Sequence, residues 1–367
     1  MADQWAVLGG ELDDELEEDA LERWERRAGD VTIARRVGGM LVLGFLVALG
    51  ALLSLAVGAN SIAWSTVVDA LFRFDDSVFE HLMIREFRVP RTYLGVLVGA
   101  ALGTAGAVMQ GVTRNPLAGP GILGVNAGAS FAVVIALWWV GIGGTLILAW
   151  FAFVGAGVTS VFVYVLGTAG RAGATPIRLA LAGAATAALL GAWTGAIVLR
   201  SPSARLNEFR FWAVGSLTGA GRTDEVLLWQ LAPIVAVGLI LAFGVARQLN
   251  TIALGDDTAR ALGTRLGATR LLSVIAITLL CGGAVSVAGP IGFVGLVVPH
   301  VARLWFGPDQ RWLLPGSALA GSAFLLYCDI AGRIVARPGE IQVGIMTAVI
   351  GGPAFIFLVR RTRMTQL

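Results

Sequence analysis

The sequence predicts an all-α, polytopic membrane protein with about ten transmembrane helices. Of its 367 residues, 56 % are hydrophobic and only 14 % are charged, and the mean hydropathy is +0.79. Soluble domains usually carry about 25 % charged residues, so most of this surface must lie away from water. A helix that crosses a bilayer needs about 20 apolar residues, and the chain is long enough for about ten of them. An ordinary soluble enzyme is therefore excluded.

Ten long apolar stretches, separated by Gly, Pro and Arg, are the predicted spans. The eighth is short and contains Pro299 and His300, and a helix broken there needs protein or a wet cavity around its freed backbone groups. Breaks at Arg114–Gly124 and Gly289–His300 fall at corresponding places and hint at an internal duplication. The stretches cover residues 38–58, 93–112, 122–141, 144–166, 179–199, 225–245, 271–289, 291–306, 312–331 and 342–359.

The first 36 residues differ in composition from the rest of the chain. They contain 11 acidic and 5 basic residues, so this block carries a charge near −6 while the remainder is near +9. A secretory signal would instead begin with positive charge followed by an apolar core. We expect an acidic, solvated cytoplasmic arm at 1–36 and a membrane domain at 37–367.

The arginines predict how the chain lies in the membrane, because cytoplasmic loops are enriched in basic residues. With both termini in the cytoplasm, 17 arginines fall inside and 10 outside. The outer excess is concentrated in Arg73, Arg85, Arg88 and Arg91. His81 lies in the same outer segment and is expected to be an exposed surface residue.

Few residues could carry chemistry inside the membrane. The chain has no lysine, so it lacks the Walker A lysine that reaches nucleotide phosphates. Asp329 and Arg333 are four residues apart, which predicts an ion pair on one helix face. Neither a metal-ligand cluster nor a Ser/His/Asp constellation is recognisable, and Cys281 and Cys328 read as buried free thiols. Catalysis, a bound cofactor, a metal and a nucleic-acid partner are therefore not expected.

Asp329 and His300 nevertheless keep a second class open. Ionisable groups are retained in spans only for use. These two could relay protons in an ion-coupled secondary transporter that works without an ATPase.

Small residues recur every four positions in the second span. Gly95, Gly99 and Gly103, followed by Ala107 and Gly111, form a flat ridge that lets a neighbouring helix approach closely. We therefore assign them to helix packing.

The loop 248–270 predicts two brief amphipathic helices with a tight bend at Leu254-Gly255. Asp256 or Asp257 would cap the second helix, and Gly263 would end it. An apolar knob ringed by arginines would result, so the loop either docks a protein or lies on lipid headgroups. The knob comprises Ile252, Leu254, Leu262 and Leu266, and the ring Arg260, Arg265 and Arg270.

Several ordered motifs follow one another from about Arg85 to the C-terminus, and together they are more specific than any one alone. They are Arg88-Val89-Pro90-Arg91, Gly106 to Gln110, Asn115 to Ala118, Gly124 to Ala129, Ala253-Leu254-Gly255 with Ala259 and Leu262-Gly263, Gly289 to His300, and Leu313 to Gly316. By these motifs the sequence resembles the FecCD family of ATP-binding-cassette (ABC) importer permeases, which serve uptake of iron-siderophores, haem and cobalamin.

The resemblance implies a type II ABC importer permease and assigns roles to particular residues. Coupling helices at about 250–267 would bind the ATPase, and arginines on the outer face would receive carboxylates of a substrate-binding protein. An inner gate would lie where paired permeases meet. The implied residues are Ala253, Leu254, Gly255, Ala259, Leu262 and Gly263 for coupling, Arg88, Arg91 and Arg333 for docking, and Asn115 and Leu117 for the gate.

The resemblance also implies an assembly and a cargo. The chain would not be an enzyme, since ATP and Mg would bind to separate ATPase subunits. A second permease subunit, either the same chain or a paralogue, and an extracytoplasmic binding protein would complete the complex in the inner or plasma membrane. Ferric siderophore is the expected cargo, ahead of haem or cobalamin.

Overall fold

A computed structural model describes residues 33–58, 61–140, 144–168, 176–200, 203–218 and 222–363. Within these ranges all regular structure is helical. Residues 1–32 of the predicted acidic arm lie outside the described residues, and 33–36 already belong to the first helix.

The described helices are numbered in chain order. A π-helical segment at Met83–Arg88 joins α3 to α4, and a 3-10 turn at Pro120–Leu123 precedes α5. The helices are α1 (Ile33–Ala56), α2 (Trp64–Phe72), α3 (Phe79–Leu82), α4 (Val89–Thr113), α5 (Val125–Ile135), α6 (Thr145–Thr168), α7 (Pro176–Leu199), α8 (Ser203–Val214), α9 (Arg222–Gly244), α10 (Ala246–Ala253), α11 (Asp256–Ala261), α12 (Leu266–Ala288), α13 (Val294–Phe306), α14 (Gln310–Val335) and α15 (Val343–Arg363).

The described helices make this a multi-pass membrane protein, although ten spans are not confirmed. Six helices are long and apolar enough to cross a bilayer, and α9 with α10, bent by 45°, would be a seventh. Each predicted stretch coincides with a helix, but three of these are shorter than a span requires. The six are Ile33–Ala56, Phe79–Thr113, Thr145–Thr168, Ile177–Leu199, Leu266–Ala288 and Gln310–Val335, and the shorter ones are Val125–Trp139, Val294–Phe306 and Val343–Leu358.

The breaks between helices follow the Pro and Gly residues only in part. Helix α4 ends at Thr113 and α12 ends at Ala288, as the two Pro- and Gly-rich segments predict. The predicted break at Pro299 is wrong, because α13 continues through this residue.

Helix α4 is the central element of the bundle, and its glycines bring α14 against its backbone. A methyl group on Gly99 would meet the carbonyl of Gly321 and lie 2.6 Å from Cα of Ser322. A methyl group on Gly103 would meet the carbonyl of Ser317. Gly95 faces Leu326 at the same interface. The small-residue ridge is therefore the surface on which α14 lies.

The two ends of α4 define the two ends of the bundle. Arg88 and Arg91 begin α4, and the α10–α11 segment packs near its other end, about 37 Å away for a helix of this length. We call these the arginine end and the loop end. Helix α1 begins at the loop end, where Arg35 Nη2 donates to the carbonyl of Leu304 (2.9 Å).

Short helices cover the arginine end, which the hydropathy pattern did not predict. Helices α2 and α3 and the π-helical segment surround His81, which is only 7 % exposed. Its Nδ1 accepts a hydrogen bond from the Asp75 backbone N–H (3.2 Å), and its ring lies beside Phe74. The prediction of an exposed His81 is therefore wrong, since the segment that contains Phe74 and Asp75 lies against its side chain.

The contact between α4 and α14 makes a testable prediction. Gly99→Ala should lower the thermal unfolding midpoint of the purified protein in detergent, because overpacking a tight contact costs about 1–3 kcal/mol. Gly157→Ala on α6 is the matched control, since a methyl group there has no atom within 4 Å. Equal midpoints for the two variants would contradict the packing described.

Candidate functional site

One buried carboxylate organises the arginine end. Asp329 on α14 is 1 % exposed and lies between two arginines. Arg91 Nη2 is 2.8 Å from Oδ1, and Arg333 Nη2 is 2.9 Å from Oδ2. The predicted pair of Asp329 and Arg333 is thus confirmed. A buried charge is tolerated when it is paired and hydrogen-bonded, and here α4 and α14 share the same carboxylate.

A second carboxylate extends this cluster towards solvent. Arg91 Nη1 contacts Glu340 Oε2 at 2.7 Å, and the Glu340 side chain is 34 % exposed. We call this group the arginine cluster; it comprises Arg88, Arg91, Asp329, Arg333 and Glu340. It extends from the buried Asp329 carboxylate to the partly exposed Glu340 carboxylate.

Two arginines of the cluster also bind the C-terminal end of α1. Arg88 Nη1 donates to the carbonyls of Leu55 (2.7 Å) and Ala56 (2.9 Å). Arg333 donates to the carbonyl and hydroxyl of Ser54 (3.0 and 2.7 Å). The last carbonyls of a helix lack partners within the helix and carry its negative dipole end. Guanidinium groups therefore hold α1 against α4 and α14.

The three predicted docking arginines thus come together, but they already have internal partners. Arg88, Arg91 and Arg333 line one cavity of about 320 Å³, together with Glu340 and Leu217. Arg88 and Arg91 are each 8 % exposed, and Arg333 is 1 % exposed. A carboxylate arriving from outside would meet guanidinium groups engaged with α1 and Glu340.

The loop end exposes a small apolar surface. Helices α10 and α11 are separated by a bend in which Gly255 has φ +108°. Leu254 and Leu262 are 64 % and 60 % exposed. Ile252 and Leu266 were also predicted to be part of this exposed surface, and that prediction is wrong. They pack with Ala259 in a buried cluster beneath it.

The predicted cap of α11 is also wrong. Gly255 occupies the N-cap position, and no side chain caps the helix. Asp256 instead lies 3.2 Å from Arg114 Nη2 through Oδ1 and 2.8 Å from Arg270 Nη2 through Oδ2. Asp257 pairs with Arg260 on the same helix (2.8 Å).

Helix α10 is tied to the start of α14 by a second polar contact. Asn250 Nδ2 donates to Asp309 Oδ1 (2.7 Å), and Asn250 Oδ1 accepts from the Gln310 backbone N–H (2.8 Å). Asp309 is the N-cap of α14, and the hydrogen bond from the Arg311 side chain, aided by Asn250, lowers its pKa to about 2. The Asp309 carboxylate is therefore ionised at any physiological pH and holds α10 in place.

The predicted gate residues lie in an exposed turn after α4. Asn115 Oδ1 accepts a hydrogen bond from the Leu117 backbone N–H (2.9 Å), and Leu117 is 50 % exposed. Arg114, which precedes this turn, is the residue that contacts Asp256. The gate turn and the α10–α11 segment are therefore neighbours at the loop end.

Asp329 and His300 do not form one site. Asp329 binds Arg91, whereas His300 is on α13 within one turn of Leu296 and Arg303, which bond to Gln110. Arg91 and Gln110 are separated by about 28 Å along α4 at 1.5 Å per residue. The two candidate proton carriers are therefore at opposite ends of the bundle.

Sequence reasoning missed Glu340, Ser54 and the role of Asp256. Glu340 and Ser54 meet their partners only through tertiary contacts, so no local spacing reveals them. The position of Asp256 at the start of a short helix was visible in the sequence, but it indicated helix capping rather than ion pairs with Arg114 and Arg270.

Two bacterial permeases are similar in sequence to this chain over most of its length. The chain is 44 % identical over 336 residues to the ferric enterobactin transport system permease protein FepD of Escherichia coli, covering 91 % of this chain and 98 % of that protein. It is 41 % identical to the iron(3+)-hydroxamate import system permease protein FhuB of Bacillus subtilis, covering 90 % and 85 %.

A solved structure has the same fold. It is described as an inward-facing conformation of a metal-chelate type ABC transporter, and it superposes with a TM-score of 0.77 at 27 % identity over 88 % of this chain and 98 % of that one. The model of the FecCD transport family matches residues 46–361, so the similarity begins about 40 residues before Arg85. The chain therefore belongs to the FecCD transport family.

Proposed function

We propose that this chain is the permease subunit of an ABC importer that carries a ferric siderophore across the membrane. Two similar proteins are named for ferric enterobactin and iron(3+)-hydroxamate, at 44 % and 41 % identity, and one named for hemin is 37 % identical, so the higher identities support a ferric siderophore as the cargo. The permease would not be an enzyme itself, because ATP and Mg would bind to a separate ATPase.

The exposed leucines of the α10–α11 segment are the observation that carries the proposal. Leu254 and Leu262 stand out from a segment that is fixed below by a buried cluster and at its sides by ion pairs. A rigid apolar surface at a membrane protein's loop end suits docking of another protein. Within the proposed coupling set, Ala253, Leu254, Leu262 and Gly263 supply surface, Gly255 the bend and buried Ala259 the support.

The arginine end is the proposed docking site for an extracytoplasmic binding protein. Arginine forks bind carboxylates through paired hydrogen bonds. Arg88 and Arg91 line the open cavity and would contact such carboxylates first, in exchange for α1 carbonyls and Glu340. Arg333 is more deeply buried and would hold the site in shape.

The proposed path lies between this chain and a second permease subunit. Asn115 and Leu117 would form its inner gate, since their turn is exposed beside the proposed coupling segment. The three short apolar helices would bring the number of membrane crossings to ten. A helix shorter than the bilayer is tolerated where other helices or a water-filled path surround its ends.

The proposed orientation places the loop end and both termini in the cytoplasm. Helix α1 begins at the loop end, near Leu304. Helix α15 starts at the arginine end, where the Gly344 N–H donates to the carbonyl of Gly215 (3.0 Å), and runs the other way.

An ion-coupled secondary transporter is the competing function. It would need Asp329 and His300 to exchange protons along a path. Asp329 and His300 lie near opposite ends of α4, and two arginines hold Asp329; both observations favour the ATP-driven importer.

Replacing either exposed leucine, Leu254 or Leu262, by a charged residue should prevent the ATPase from binding. Leu254→Asp and Leu262→Asp should each abolish co-purification of the ATPase subunit, because a carboxylate buried in an apolar interface loses its hydration. Leu199→Asp is the matched control, since Leu199 is 89 % exposed at the far end of α7 from the loop end. Retained ATPase in both loop variants would contradict the docking surface.

Transport itself should depend on ATP. Proteoliposomes that contain the permease and its ATPase, with the binding protein outside, should accumulate iron-labelled ferric siderophore only when ATP is supplied on the ATPase side. Haem is the comparison cargo in the same assay. Uptake by the permease alone, following a proton gradient, would overturn the importer and favour the secondary transporter.

A further inference from the structure

We propose that Asp256 is the positioning residue that links the coupling segment to the gate turn, and that Arg114 is the partner through which it acts. The inference rests on the proposed function, because it assigns a mechanical role within ATP-driven transport. It concerns a contact that the family resemblance does not assign.

Three elements meet at the Asp256 carboxylate. Asp256 is the first residue of α11, Arg114 follows the last residue of α4, and Arg270 lies in the second turn of α12. Each carboxylate oxygen faces a different arginine, at 3.2 Å for Arg114 and 2.8 Å for Arg270. A displacement of α11 must therefore change at least one of these contacts.

The two contacts are unequal in burial and length. The Arg270 side chain is 10 % exposed and is anchored in a membrane-spanning helix. The Arg114 side chain is 38 % exposed, and its contact is the longer of the two. Asp256 Oδ2 accepts a hydrogen bond from Arg270, whereas Oδ1 is buried and accepts none, so the Arg114 contact is the weaker of the two and the first to change when α11 moves.

The backbone at Arg114 directs this change to the gate turn. Arg114 has a left-handed conformation (φ +52°) and ends α4. Residues that absorb backbone rotation at an element's end act as hinges. The next residue is Asn115, whose side chain holds the turn that contains Leu117. A change in the Asp256–Arg114 contact therefore acts on the residue that directly precedes the gate turn, while α4 remains packed against α14.

Asp257 provides a natural comparison. It is the next residue on α11, its side chain is 98 % exposed, and it pairs with Arg260 three residues later on the same helix. An ion pair within one helix moves with that helix and transmits nothing to α4. Asp256 and Asp257 are thus adjacent and chemically identical, but only Asp256 contacts arginines outside α11.

The test measures transport and ATP hydrolysis together in proteoliposomes that contain the permease, its ATPase and the external binding protein. Asp256→Asn should keep the ATPase bound and hydrolysing, yet lower the amount of ferric siderophore imported per ATP by about fivefold or more, within the usual range of coupling between sites. Asp257→Asn should leave this ratio at the wild-type value.

Three further variants identify the residues through which Asp256 acts. Arg114→Gln should reproduce most of the loss, and the Asp256→Asn/Arg114→Gln double variant should lose no more than Asp256→Asn alone, because both single changes remove the Asp256–Arg114 contact. Asp256→Glu, which retains the charge, should recover most of the ratio.

Several results would overturn the inference. An unchanged ratio in Asp256→Asn, additive losses in the double variant, or loss of the ATPase from the Asp256→Asn complex would each exclude a linking role. Failure of the wild-type permease to bind an ATPase would instead refute the proposed function, so the two failures are distinguishable.

Discussion

The close contact between α4 and α14 is the constraint on which the rest of the structure depends. Glycine at positions 99 and 103 lets the two backbones touch where a methyl group would collide with the carbonyls of Gly321 and Ser317. In lipid, where apolar helices gain little from burial against each other, such close packing is a main source of helix association. The ion pair of Arg91 and Asp329 fixes the same two helices at one end.

The packed pair of helices α4 and α14 joins the two sites proposed for partner proteins. Its arginine end carries Arg88 and Arg91, and its loop end continues into Arg114 and the gate turn. At these ends Arg88 and Arg333 bind the last carbonyls of α1, while Arg91 and Arg114 contact carboxylates. Between these ends, the described residues of α4 and α14 are apolar or small, apart from a few uncharged polar side chains such as Thr104, Gln110 and Ser317.

Local sequence patterns predicted what depends on local spacing. The apolar stretches predicted the helices, the four-residue ridge predicted the face that meets α14, and the spacing of Asp329 and Arg333 predicted their ion pair. They failed where contacts between different elements decide the outcome: the segment with Phe74 and Asp75 lies against His81, Ala259 and Leu266 bury Ile252, and Arg114 and Arg270 hold Asp256 away from a capping role. The three short helices show that hydropathy finds apolar stretches without fixing how far each extends.

Because α4 and α14 touch through their backbones and share the Asp329 ion pair, we expect them to move as one rigid body during transport. Spin labels on Tyr93 of α4 and Val335 of α14, which are 60 % and 70 % exposed, can be attached through introduced cysteines because both native cysteines are buried. Pulsed spin-resonance distances should then be the same in the assembled complex with and without ATP. A distance distribution that shifts when ATP is added would contradict the account.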